Sequence, residues 1–253
     1  VLKEHGTTPR QICLPELVTY IPAGDLVDRY LAENGSPSPE QLVAPCGLVD
    51  KPRLHAQDIL TVGLRNNAAV VGRPDSGKSV ALASIIMSAS LLYSPERVQF
   101  YCLDNGGGGL AELSKLDHVG DVVVGTGDAY GVQRVMNHIQ HVLKTREIFS
   151  VDSWRRRRFG DEPGSCPDDG HGDVFLVVDG ADSFCKEFDA HAETLLSLVE
   201  RGPKYGVHVL LSANSWSAGR MYKFWEHVTH WYELKLSDSG NSEMGRDAAD
   251  SVP

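Results

Sequence analysis

Unbroken apolar runs alternate along the chain with stretches whose apolar positions recur every three or four residues. Six runs read as strands: "NAAVVG" (Asn67–Gly72), "VQFYCL" (Val98–Leu103), "DVVVG" (Asp121–Gly125), "VFLVVD" (Val174–Asp179), "VHVLLSA" (Val207–Ala213) and "HWYELKL" (His230–Leu236). Several are apolar throughout, the pattern of parallel strands covered on both faces. Between them, Ser79–Leu92 is apolar on nearly every side, which predicts a central, buried helix. Asp128–Phe149 places Val132, Val135, Met136, Ile139, Val142 and Leu143 at spacings of three and four, giving one apolar face. Thr194–Glu200 and roughly Ala218–His227 predict shorter helices. Strands alternating with helices imply an α/β domain, a mostly parallel sheet with helices on both faces.

The rest of the chain fits around that pattern. Residues 1–45 are rich in Pro, Leu and acidic residues, with "SPSPEQ" (Ser36–Gln41) as a loop, and predict a leader or linker; residues 46–253 form the main domain. "RRRRFGDEPGSCPDDGHGD" (Arg155–Asp173) has the composition of a surface loop. The chain starts at Val1 and is read as a fragment of a longer polypeptide. Its 253 residues provide ample length for a core, and 42% hydrophobic with 23% charged residues is ordinary for a globular protein. A net charge of −10 argues against a sequence-independent grip on nucleic acid. Five cysteines without a CxxC spacing fit reduced thiols, with Cys102 as plain core. No apolar run approaches the roughly 18 residues of a membrane span.

One stretch carries chemistry. "GRPDSGKS" (Gly72–Ser79) matches GxxxxGK[ST], the phosphate loop, between a predicted strand and a predicted helix. Gly72 and Gly77 let the backbone through Arg73, Pro74, Asp75 and Ser76 wrap so that the loop's N–H groups, of which Pro74 has none, face one anion. Lys78 sets a point charge against the terminal phosphates. Ser79 offers a hydroxyl to magnesium as it opens a helix whose positive dipole end faces the same anion. "FLVVDG" (Phe175–Gly180) supplies the second element: Asp179, at a strand end, would hold magnesium through water. Active ATPases of this build carry a water-polarising glutamate next, and here the residue is Gly180. General acid–base assistance is worth roughly 10²- to 10⁴-fold, so nucleotide binding with very slow turnover is expected. Asp182 and Asp104 are candidate substitutes. Asp104 ends a strand expected to neighbour the phosphate loop, and Asp182 also reads as a cap or surface group.

"GRPDSGKS", "VQFYCLDNGGGGLAEL", "DVFLVVDGADSF" and "RGPKYGVHVLLSANSWS" together resemble an FtsK/SpoIIIE-type ATPase domain. They resemble most the tandem ATPase domains of the EccC family, motors of type VII (ESX) secretion in mycobacteria and related Gram-positive bacteria. "VAPCGLVDKPRLHAQDILTVGL" (Val43–Leu64) extends the likeness, which covers roughly residues 43–253. The resemblance implies a later, degenerate ATPase domain, the second by its upstream sequence, that holds ATP and Mg2+ with little hydrolysis. It also implies partners: adjacent ATPase domains, secreted WXG-type helical-hairpin substrates and membrane components of the secretion complex. The location implied is the cytoplasmic side of the cell membrane. By the same route Asn214, ahead of Ser212, is the candidate γ-phosphate sensor, where DNA translocases carry Thr-Gln. Arg201 is a candidate arginine finger toward a neighbouring domain; a solvated surface arginine is its plainer reading.

Two alternatives stay open. An active motor ATPase would position water with Asp104, Asp182 or a neighbouring domain. An FtsK-class DNA translocase is opposed by the charge, by "SAN" (Ser212–Asn214) and by Gly180. The remaining clusters have bland explanations. "SWRRRRF" (Ser153–Phe159) is a solvated face, and the His138/His141 and His227/His230 pairs lack the further ligands that complete a metal site. The aromatics of "HWYELKL" fit sheet packing.

Overall fold

The six predicted strands all form, and their order decides which loops meet. The computed structural model describes residues 14–18, 20–38, 40–125, 127–154, 169–217, 221–250 and 252. The four consecutive arginines, most of the loop that follows them, Cys13, Cys166 and the start of the helix predicted at Ala218 lie outside these residues. Helix α1 (Ala23–Asn34) leads into an antiparallel hairpin, β1 (Val43–Lys51) and β2 (Ala56–Gly63). The main sheet then follows: β3 (Ala68–Val71), α2 (Lys78–Leu92), β4 (Val98–Asp104), β5 (Val119–Val124), α3 (Ala129–Glu147) and β6 (Asp173–Asp179). It continues with α4 (Ala181–Glu187), α5 (Asp189–Arg201), β7 (Val207–Ala213), α6 (Tyr222–Trp225), β8 (His230–Glu233) and α7 (Arg246–Asp250).

The sheet is parallel throughout, in the order β5-β4-β6-β7-β3-β8. The central strands β6 and β7 are buried at every position, as their unbroken apolar runs require. One face is covered by α3 and α5 through Val132, Val135, Met136, Ile139, Leu195 and Leu198, the face that the three-and-four spacing marks on α3. On the other face α2 inserts Leu82, Ile85 and Ile86 beneath the hairpin and α1. Cys102 is buried in that layer, which pushes its thiol up to about 12. Among the described residues no helix is long and apolar enough to cross a membrane.

Two expectations need correction. Helix α2 is not buried all round, for Val80 is 69% exposed and Leu91 53%. Its apolar circumference exceeds what one sheet face and the hairpin cover. The predicted strand to Leu236 stops at Glu233, because its partner β3 turns away into the phosphate loop after Val71. Beyond that point Leu234 N–H still reaches the Val71 carbonyl at 2.7 Å, and Arg73 N–H the Lys235 carbonyl at 2.8 Å.

Candidate nucleotide site

All parallel strands deliver their C-terminal ends, and the loops after them, to one edge of the sheet. At the end of β3 the chain turns at Gly72, where a Cβ would lie 2.5 Å from the Ser76 hydroxyl oxygen and 2.9 Å from Leu234 Cβ. Asp75 (φ 61°) and Gly77 (φ 94°) then take left-handed conformations that curl the loop. Helix α2 begins at Lys78, so its first-turn N–H groups lack intrahelical partners and face the concave side of the loop. The Lys78 ammonium donates to the carbonyls of Gly72 and Arg73 at 2.9 and 2.8 Å. Burial lowers its pKa, opposed by the nearby carboxylates of Asp179, Asp182 and Asp75. A cavity of about 430 Å³ opens over the loop, with Lys78, Ser79, Asp179 and Asn214 in its wall.

Asp179 is buried at the tip of β6 with both oxygens held. One accepts from the Ser79 hydroxyl at 2.5 Å, and the other from the Ser212 hydroxyl. Ser212 in turn accepts the Gly180 N–H at 2.8 Å, so it pins the carboxylate and the backbone after it. The Ser79 hydroxyl and the Asp179 carboxylate are adjacent hard oxygen donors, which suit Mg2+ carried in with a nucleotide.

Gly180 sits at φ 77°, in the left-handed region. A Cβ there would stand 3.2 Å from the carbonyl carbon and oxygen of Asn105. The backbone here is in a conformation that a glutamate would adopt only under strain.

The candidate substitutes are placed as follows. Asp104, fully buried, spends both oxygens on backbone N–H groups: Gly106 and Gly108 at 3.1 Å and Leu110 at 2.8 Å. It organises the glycine loop after β4 and stays out of the cavity wall. Asp182 accepts from the Asn214 amide at 3.0 Å, while its other oxygen is buried with no partner among the described residues. Asn214 reaches the cavity, whereas Ser212, ranked behind it from the sequence, reaches Asp179. Arg201 lies at the end of α5, before β7, across the sheet from this chain's phosphate loop. It is exposed and paired with Glu147 at 2.7 and 2.9 Å.

Sequence reasoning missed the loop Asn105–Gly109 as part of the site. Asn105 and Gly106 line the cavity, and a Cβ on Gly106 would lie 2.5 Å from an Asp179 oxygen. One on Gly109 would lie 2.9 Å from Ser79 Cβ. Four consecutive glycines after a buried strand were the available signal: at Gly106 and Gly109 the backbone packs too close to the two nucleotide elements to leave space for a side chain, and Gly107 and Gly108 take positive φ.

A parallel sheet with GxxxxGKS between β3 and α2, and a carboxylate at the tip of β6, defines a P-loop ATPase fold and with it a nucleotide site. The chain belongs to the FtsK/SpoIIIE family, whose pattern matches residues 26–252. It is homologous to EccC of the ESX secretion systems. It is 36% identical over 226 residues to the ESX-5 secretion system protein EccC5 of Mycobacterium marinum, covering 84% of this chain and 16% of that protein. The cytoplasmic domain of the type VII secretion ATPase EccC of Thermomonospora curvata superposes with a TM-score of 0.83 at 36% identity, covering 98% of this chain and 30% of that one. A structure of ATPases 2 and 3 of the same EccC, in complex with a signal sequence peptide, gives 0.75 at 38% identity, covering 84% and 39%. The chain thus spans about one-sixth of the length of the mycobacterial relative, and the family resemblance carried by its motifs holds.

Proposed function

We propose that this chain is an ATP-holding, hydrolysis-poor ATPase domain of a type VII secretion motor. The observation that carries the proposal is the left-handed Gly180, with a backbone carbonyl 3.2 Å from where its side chain would start. The residue that should polarise water is absent, and the local backbone resists its return. Asp104 is spent on its own loop, and Asp182, with one oxygen on Asn214, is not in the cavity wall, so neither stands where an unassisted base would be needed.

The phosphates of ATP would lie in the Gly72–Ser79 loop against Lys78, with Asn214 beside the terminal phosphate. Bound magnesium would supply charge neutralisation between Ser79, Asp179 and the phosphates. The protein's own contribution is to bind and orient. Ser212 fixes Asp179, Asp182 fixes Asn214, and the glycine loop closes the metal side. Held ATP then acts as a structural cofactor, since a ligand at 100 times its dissociation constant stabilises the fold by about 2.7 kcal/mol. Homology with EccC supports a position beside other ATPase domains of one motor, in the cytoplasm, at a membrane-bound secretion complex. There it would shape the surfaces that meet its neighbours and WXG-type substrates.

The test is to load the protein with ATP and magnesium, remove the excess, and identify the retained nucleotide by chromatography over hours to days. Intact ATP is expected, together with a melting shift that the Lys78→Ala variant loses. Steady conversion to ADP would overturn the hydrolysis-poor reading and make Asp182 the first residue to mutate. An unchanged melting shift in Lys78→Ala would sink the phosphate-loop assignment itself.

A further inference from the structure

The phosphate loop carries a charge of the wrong sign for its ligand. Asp75 lies in the wall of the same cavity as Lys78 and Asp179. It is exposed, and its backbone takes a left-handed conformation (φ 61°) that Asp and Asn tolerate better than most side chains. Burial lowers the Lys78 pKa, and the charges of Asp179, Asp182 and Asp75 oppose that shift. Asp75 therefore acts on the very ammonium that is to meet the phosphates. Before any ligand enters, one ammonium in the wall faces two carboxylates.

The two carboxylates are not equivalent. Asp179 is buried and accepts from the Ser79 and Ser212 hydroxyls, which holds it as an oxygen donor for an ion. Asp75 stands outside that hydrogen-bonded group, within the stretch whose N–H groups are to surround the anion. Arg73, two residues earlier, is exposed and is not in the wall. The charge of Asp75 is thus set against whatever negative charge the loop receives.

Coulomb energy scales with the product of the charges. A metal-free triphosphate carries about four negative charges and its magnesium complex about two, so a fixed carboxylate opposes the first about twice as strongly. We propose that Asp75 is a specificity-determining residue, which makes the loop select nucleotide complexed with a divalent cation and reject the metal-free form. The proposal rests on Gly72–Ser79 being the phosphate site for ATP, and not on whether that ATP is hydrolysed. Retention of the nucleotide is thereby tied to the cation and not to the loop alone.

The experiment titrates the 253-residue chain with ATPγS, a slowly hydrolysed analogue, by calorimetry, in excess magnesium and separately in EDTA. Asp75→Asn removes the charge but keeps a residue that tolerates the left-handed backbone; Asp75→Gly removes the charge and relaxes the backbone together. Both variants are expected to tighten metal-free binding about five-fold or more, and binding of the magnesium complex by about two-fold at most. Because Asp75 is exposed, the gain should fade between about 0.05 and 1 M salt. The proposal is overturned if Asp75→Asn changes both affinities alike or neither, or if the gain is indifferent to salt. A gain in Asp75→Gly alone would also overturn it, by assigning the effect to the backbone. If the parent chain binds ATPγS in neither condition, the phosphate-site reading falls and this proposal with it. Tight binding by the parent in magnesium together with unaltered selectivity in Asp75→Asn overturns only the role of Asp75.

Discussion

The two edges of the sheet handle polar groups in opposite ways. At the C-terminal edge the backbone is bent through left-handed residues (Asp75, Gly77, Gly107, Gly108, Gly180), and the helix-start N–H groups of α2 are left for a ligand. At the N-terminal edge the charges are consumed internally. Arg146 is 1% exposed and donates to Asp169 at 2.5 Å, to the carbonyls of Tyr205 and Gly206 at 2.9 and 3.1 Å, and to those of His171 and Gly172 at 3.1 and 2.8 Å. Its guanidinium also lies over the Trp154 ring, 4.2 Å from the centroid. Beside it Arg97 and His208 share Asp173. The contrast is between an edge built to receive charge and one built to bind the loops together.

That contrast makes Arg146 the more costly single loss. Truncating one member of a buried ion pair typically costs about 3–5 kcal/mol, and here several carbonyls are orphaned as well. Arg146→Ala should therefore lower the unfolding free energy by an amount in that range, measured by chemical unfolding. A cost under about 1 kcal/mol would mean that the N-terminal edge is not the fold's clasp.

At the other edge the expected effect is smaller and local. Gly180→Glu, which restores the residue type of an active ATPase, forces a side chain into a left-handed conformation at a cost of roughly 1–3 kcal/mol. Turnover should stay near the parent rate in a phosphate-release assay. A hundred-fold gain without loss of stability would show that the loop relaxes to accept the glutamate, erasing the distinction drawn from Gly180.

The smallest effect is in acid. Burial raises the Asp169 pKa, but hydrogen bonding and the charge of Arg146 lower it further, and the net shift is downward from 3.8. A carboxylate depressed in the folded state stabilises above its unfolded pKa, and that contribution is lost as pH falls through the folded value. Stability should thus drop below about pH 4, and Asp169→Asn should flatten that slope while leaving the C-terminal edge's nucleotide affinity unchanged. An unaltered acid slope would remove Asp169 from the clasp.

The strands, the apolar face of α3 and the phosphate loop were legible because each depends on local spacing. The unbroken run Val207–Ala213 reads as a strand covered on both sides, and GxxxxGKS needs no distant residue to make its nest. The hairpin of β1 and β2 was not legible as such. Its strands alternate weakly, and burial comes from contact with α2 and α1, which the local sequence does not announce. The glycine loop Asn105–Gly109 drew notice only as part of a family likeness, since what excludes its side chains is Asp179 and Ser79, distant in sequence.

By itself, then, the sequence determined the class of fold, the phosphate-binding chemistry and the absence of a glutamate after Asp179. Only the tertiary structure decided strand order, and with it that Asp104 serves its own loop while Ser212 holds Asp179. It also decided that Gly180 takes a left-handed conformation in which a glutamate would be strained. The physical reason is range. Periodicity and backbone freedom are written residue by residue, whereas the partner of a buried polar group is whichever atom the sheet brings alongside.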